Sequence, residues 1–170
     1  MILWIIGMSG AGKTTLGREI YRQLKEKYPQ TVILDGEIVR ELFDNDLGHS
    51  IADRRRNSDR ITRLCNFLNQ QGIHVVCPVL SIFHDAQSWN HAHWHDYFEV
   101  YIDAPLDTLI ARDPKGLYQA ALRGEVKNVV GIDILFLPPL QPDFVIRSTG
   151  SRVDLLAYVP EIICRLPGLG

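Results

Sequence analysis

The octet Gly7-Met8-Ser9-Gly10-Ala11-Gly12-Lys13-Thr14 constrains this chain more than any other stretch. It fits the pattern G-x-x-x-x-G-K-[ST], follows the apolar run Ile2-Leu3-Trp4-Ile5-Ile6, and precedes residues with helical periodicity. A strand must therefore turn sharply into a helix here. The glycines let successive backbone N–H groups point inward at phosphate oxygens, and the helix adds the positive end of its dipole. Gly7, Ser9, Gly10, Ala11, Gly12, Lys13, Thr14 and Thr15 are thus expected to hold a nucleotide. Lys13 is expected to reach the β- and γ-phosphates, and Thr14 to place its hydroxyl on Mg²⁺.

The periodicity beyond the octet says what kind of sheet that strand belongs to. Leu16, Ile20 and Leu24 recur every four residues within Thr14 to Lys27, an amphipathic helix closed by Pro29. Thr31 to Leu34, Ile73 to Leu80, Phe98 to Ile102 and Phe144 to Ile146 are further apolar runs of strand length. A short helix is expected over Glu37 to Phe43 and a longer one from about Asp53 to Gln71, whose stripe is Ile61, Leu64, Cys65 and Leu68. Ser151 with Asp154 reads as a capping box opening a last helix, which Pro160 should kink or divide. Apolar strands alternating with helices predict an α/β fold, a five-stranded parallel sheet with helices on both faces. Residues 115 to 142, with a short helical pattern at Leu117 to Leu122 and then Gly131 and prolines, read as a mobile lid.

A chain of 170 residues with this pattern is expected to be one domain, residues 1 to 170. Lys and Arg total 18 against 20 Asp and Glu without a long run of one sign, so no nucleic-acid partner is expected. Cys65, Cys77 and Cys164 are odd in number and widely spaced, which predicts free thiols filling the core in a reducing compartment. The start lacks a basic leader and the chain lacks a long apolar stretch. A cytoplasmic protein with no membrane partner is the expectation.

Ligands of such sheets bind at the carboxyl ends of the strands, which puts the octet, Asp35, Ser81 and Asp103 along one rim. Asp35 could take a Mg²⁺-bound water or accept a substrate proton, or simply cap a helix; Glu37 is a second candidate base. Of Arg40, Arg54, Arg55, Arg56 and Arg60, no more than about two are expected to touch substrate. Arg112, Lys115, Arg123 and Lys127 are cations placed to stabilise a phosphoryl group in transit. His84, His91, His93 and His95 crowd one connection, read as polar surface rather than a metal centre, with Trp89 and Trp94 packing beside them.

These residues, in this order, resemble the adenylylsulfate kinases, P-loop kinases that phosphorylate the ribose 3′-hydroxyl of adenylyl sulfate with MgATP. Gly7 to Thr14 is similar to the family's G-L-S-G-x-G-K-[ST] loop, and Leu34 to Arg40 to its L-D-G-D-N-[VI]-R segment. Asp46-Leu47-Gly48 and Asp53-Arg54 resemble D-L-G-F-S and D-R-x-E-N. Glu99 to Leu106, Arg112 to Tyr118 and Gly131-Ile132-Asp133 complete the set. The resemblance implies that Lys13, Thr14, Asp35 and Arg112 serve ATP and Mg²⁺, with Thr14 and Asp35 on the metal. It implies an acceptor site of Arg40, His49, Arg54, Asn57, Leu80, Ser81, Lys115, Val129, Gly131, Ile132 and Asp133, with Asp35, Glu37, Lys13 and Ser81 catalytic, in a homodimer.

The departures concern the acceptor. Glu37 and Ile38 stand where the family has Asp and Asn, and Leu80-Ser81-Ile82-Phe83-His84 replaces I-S-P-[FY]-R. His49 and Val129-Val130 stand where the family has the two aromatics that sandwich adenine. Base stacking is worth about 1 to 3 kcal/mol, so their loss weakens adenine capture. A divergent branch of the family phosphorylates cytidine diphosphoramidate in capsule biosynthesis, which is the alternative acceptor; a nucleotide-binding module without turnover is a third reading.

Overall fold

The computed structural model describes residues 1–148 and 151–169, with backbone only at 152. Five strands form one parallel sheet in the order β2-β3-β1-β4-β5: β1 (Ile2–Ile6), β2 (Thr31–Ile33), β3 (His74–Val79), β4 (Tyr97–Asp103) and β5 (Phe144–Arg147). Helix α1 (Lys13–Lys27) follows the octet, and α2 (Gly36–Leu42) and α3 (Ile51–Gln70) follow β2. After β3 come α4 (His84–His93), then beyond β4 α5 (Leu106–Arg112) and α6 (Leu117–Leu122), and after β5 α7 (Arg152–Leu156) and α8 (Val159–Arg165).

Strand β1 shows why its sequence is apolar throughout. Successive side chains of a strand point to opposite faces, and here both faces are covered. Leu3 and Ile5 pack into one cluster with Leu16, Ile20 and Leu24 of α1 and Ile162 of α8. Ile2, Trp4 and Ile6 pack into the other with Ile61 and Cys65 of α3 and Trp94. A polar group on β1 needs a partner inside a core, as the Trp4 indole N–H finds in Ser81 Oγ.

Local signals set the helix starts. Asp35 accepts the Glu37 and Ile38 N–H groups and caps α2, Ser50 accepts the Asp53 N–H and caps α3, and Ser151 with Asp154 makes the expected capping box. Pro160 falls in the first turn of α8, so the last helix is two, α7 and α8.

Some expectations need correction. The stretch from His84 is a helix rather than an open connection, with Gln87 and Asn90 buried beneath it. Helix α5 was not expected at all. Cys164 is exposed, unlike Cys65 and Cys77, because α8 turns it to solvent. Among the described residues no helix is long and apolar enough to cross a membrane.

Candidate active site

The octet closes into a loop because Gly10 and Gly12 adopt left-handed backbone, φ 76° and 101°. Gly12 has a second reason to lack a side chain: a Cβ there would run into Cδ2 of Leu155 on α7. Tyr118 of α6 donates its hydroxyl to the Ser9 carbonyl at 2.9 Å, and the Lys13 amine donates to the Met8 carbonyl at 2.9 Å. Burial, then the nearby Lys115 charge, lowers the Lys13 pKa to about 8, with Glu37 and Asp35 partly opposing. The half-buried ammonium faces the cavity with one carbonyl partner, and an anion would stabilise it.

The loop borders a cavity of about 740 Å³ at the carboxyl ends of β1, β2 and β3. Its wall brings together Ser9, Gly10, Gly12, Lys13, Thr14 and Thr15 with Asp35, Glu37, Arg40, His49, Arg54, Asn57, Leu80, Ser81, Lys115 and Val129. These come from residue 9 to residue 129 and meet only because the parallel crossovers return every strand to the same rim.

Each polar group there is held in a definite way. Both N–H groups that Asp35 accepts land on Oδ1, at 2.9 and 2.8 Å, so the carboxylate is fixed and Oδ2 is the oxygen left for a ligand. Glu37 is exposed, and its Oε1 takes the Lys115 ammonium at 2.8 Å, which holds its carboxyl below the usual range. Arg40 grips the Leu47 and Gly48 carbonyls at 2.9 and 2.8 Å. Arg54 grips the His49 carbonyl at 3.0 Å and, across the cavity, the Asn128 carbonyl at 2.8 Å. Burial followed by the Arg40 and Arg54 charges keeps the His49 pKa below its ordinary value, so the ring is neutral at pH 7. Asn57 donates to the Gly36 carbonyl at 3.2 Å, and its Oδ1 is buried without a protein partner among the described residues.

Several candidates stand elsewhere. Gly7 and Ala11 shape the loop from below: a Cβ on Gly7 would lie 3.2 Å from the Ile102 carbonyl, and Ala11 is buried. Arg112, Gly131, Ile132 and Asp133 do not line the cavity. Arg112 ends α5, outside the cavity wall, and Ile132 packs against the core. Asp133 accepts the backbone N–H groups of Asn128 and Val129, so it shapes the wall without forming it. Gly131 adopts φ 98° in the same turn. Asp103 sits at the end of β4 but accepts the Tyr101 hydroxyl instead of facing the cavity.

Two of the five arginines, Arg40 and Arg54, line the cavity. Arg55 forms a bidentate pair with Asp85 at 2.9 Å and lies over the Phe83 ring, and Arg60 pairs with Asp46. Of the second basic set Lys115 and Lys127 line it, while Arg123 pairs with Glu125. The histidines disperse: His84 meets the Pro138 carbonyl, His93 the Trp89 carbonyl, and His91 lies 3.5 Å from buried Glu99. No group of three or more His, Cys, Asp and Glu able to hold a metal occurs among the described residues. Trp4 and Asn128 also line the cavity, without sequence signals that would have found them, as does Phe83, which stands at the aromatic position of the segment similar to I-S-P-[FY]-R.

Comparison with known proteins agrees with this geometry. The adenylylsulphate kinase family model matches residues 1–147. A cytidine diphosphoramidate kinase of Campylobacter jejuni is 40% identical over 168 residues, covering 97% of this chain and 95% of that protein. An adenylyl-sulfate kinase of Halothermothrix orenii is 40% identical over 152 residues, covering 89% of this chain and 82% of that one. The Mycobacterium tuberculosis APS kinase, solved with AMPPNP and APS, superposes with a TM-score of 0.85 at 33% identity, covering 96% and 95% of the two chains.

Proposed function

The chain belongs to the adenylylsulphate kinase family and is a phosphotransferase with an alcohol acceptor, and from that premise we propose that it moves the γ-phosphoryl of ATP to the ribose 3′-hydroxyl of a cytidine nucleotide, cytidine diphosphoramidate. The observation that carries the base assignment is the far wall of the cavity. It includes His49, Arg54, Asn128 and Val129, so the two positions where the resemblance implies an adenine sandwich carry a small imidazole and an aliphatic side chain in place of two phenyl rings. The full-length likeness to the Campylobacter kinase supports the same reading. Adenylyl sulfate is the second reading, favoured by the Mycobacterium kinase solved with APS.

The residues fit ATP and Mg²⁺. The left-handed glycines, the start of the 15-residue helix α1 and the half-buried Lys13 make an anion cradle. The Thr14 hydroxyl would hold Mg²⁺ directly and Asp35 would hold it through a metal-bound water, and the ion would supply charge neutralisation at the β- and γ-phosphates. Asp35, half-buried and fixed by its two N–H bonds, takes the hydroxyl proton as the ribose oxygen bonds to the γ-phosphorus and the bridging P–O bond breaks, releasing ADP. Glu37 and Lys115 act as an ion pair at the rim. Lys13, Lys115 and Lys127 offset charge on the phosphoryl group in flight, with residues 115–142 as the lid. A homodimer belongs to this reading; exposed Leu135, Leu137 and Leu140 support it, and sedimentation equilibrium tests it.

The deciding experiment compares kcat/KM for cytidine diphosphoramidate and adenylyl sulfate with MgATP. A clear preference for the cytidine compound supports the proposal, and the reverse preference selects the second reading. Tight ATP binding with neither acceptor turned over would make the chain a nucleotide-binding module.

A further inference from the structure

Ser81 lines the cavity and, without glycine's freedom, adopts left-handed backbone, φ 47°, two residues beyond β3. That conformation costs an ordinary residue about 1 to 2 kcal/mol, so the surroundings must impose it. Two buried side chains do so. Gln87 of α4, 4% exposed, donates its amide to the Ser81 carbonyl at 2.9 Å and lies 3.3 Å from Oγ. Trp4 of β1, 2% exposed and packed on Trp94, donates its indole N–H to the same Oγ at 3.2 Å.

The chemistry of these partners is unambiguous. An indole nitrogen only donates, and a backbone carbonyl only accepts, which fixes which end of the Gln87 amide faces Ser81. With two donors on its oxygen, the Ser81 hydroxyl has both lone pairs occupied. Its remaining hydrogen bond is as a donor, and Ser81 lines the cavity. A ligand group meeting it must therefore be an acceptor, such as a phosphoryl or sulfonyl oxygen, and an N–H group there would be rejected.

We propose that Trp4 and Gln87 are positioning residues that hold the Ser81 hydroxyl as a fixed hydrogen-bond donor to an anionic oxygen of the nucleotide acceptor. This rests on the kinase reading above and deepens it. The test is steady-state kinetics of Gln87→Met, Trp4→Phe and Ser81→Ala, alone and combined, with MgATP and whichever acceptor the wild type prefers. Each single change is expected to raise the acceptor KM about three- to tenfold, the range for one hydrogen bond, with the ATP KM within about twofold of wild type. In the Ser81→Ala background Gln87→Met is expected to add nothing further to the acceptor KM, because Gln87 reaches the acceptor only through that hydroxyl, while loss of its bond to the Ser81 carbonyl is read separately in Tm.

Additive effects, or equal losses for ATP and acceptor, would mark Gln87 and Trp4 as packing residues and overturn the proposal. If Trp4→Phe fails to fold, the Gln87 and Ser81 cycle decides alone. A wild type that turns over neither acceptor defeats the kinase reading and this one with it, whereas an active wild type with unresponsive variants defeats only this one.

Discussion

Lys115 Nζ lies 2.8 Å from Glu37 Oε1, tying the segment after α5 to the start of α2 at the rim of the cavity. Both side chains are about two-thirds or more exposed, so screening leaves this pair little effect on stability. Its effect is local. It keeps Glu37 ionised, and the Lys115 charge helps depress the pKa of Lys13.

That coupling gives a pH dependence with a definite sign. Without nucleotide Lys13 loses its proton near pH 8, while bound phosphates favour the ammonium. Affinity for ATP is therefore expected to be level below pH 8 and to fall by up to about tenfold per pH unit above it, until the pKa of the bound state is reached. Lys115→Ala should move that alkaline limb to higher pH. Calorimetric titrations with ATP from pH 7 to 9.5 measure both limbs, and Lys13→Ala should abolish turnover.

Asp35 has two separable duties. Asparagine can accept the same two N–H bonds, so Asp35→Asn should keep the cap and leave Tm nearly unchanged while kcat falls about 10² to 10⁴-fold. Asp35→Ala should lose the cap as well and destabilise the protein by about 1 kcal/mol. Glu37→Gln, on an exposed side chain, should cost kcat less than about tenfold. A larger loss from Glu37→Gln than from Asp35→Asn would reassign the base.

Gly12 and Gly116 share a left-handed conformation and differ in surroundings. Alanine at Gly116 meets nothing within 4 Å and should cost about 1 kcal/mol of backbone strain, whereas at Gly12 its Cβ collides with Leu155. Gly12→Ala should cost about 2 to 5 kcal/mol in all and disrupt ATP binding. Urea unfolding of both variants compares them.

The base preference should respond to a single ring. His49 is exposed on the cavity wall, so His49→Phe can replace the small polar imidazole by a larger apolar stacking face without disturbing the core. With stacking worth about 1 to 3 kcal/mol, its kcat/KM ratio should shift toward adenylyl sulfate by about tenfold or more. No shift in competition between the two acceptors would place the base away from residue 49.

Much of this molecule was legible from contiguous residues. The octet, the buried strands, the Ser151 capping box and the break at Pro160 all rest on spacing along the chain, and spacing along the chain is what sequence displays. Helix α4 was not legible, because its buried side is polar: Gln87 and Asn90 lie where an apolar stripe would announce a helix. Arg112 and Asp133 show how position, which residue type leaves open, comes from the fold. Their residue types suit phosphate chemistry, yet one ends α5 outside the cavity wall and the other ties a turn.

The sequence by itself determined that a strand, a glycine loop with Lys13 and Thr14, and a helix would make a phosphate cradle on a parallel sheet, since each requirement is local. Only the tertiary structure decided which residues share that cradle's cavity. Trp4, Asp35, Arg54, Ser81, Lys115 and Val129 lie on separate segments, and their meeting depends on crossovers that bring distant strand ends to one rim. The bonds that orient them, such as Trp4 and Gln87 on Ser81 or Lys115 on Glu37, exist only after that assembly.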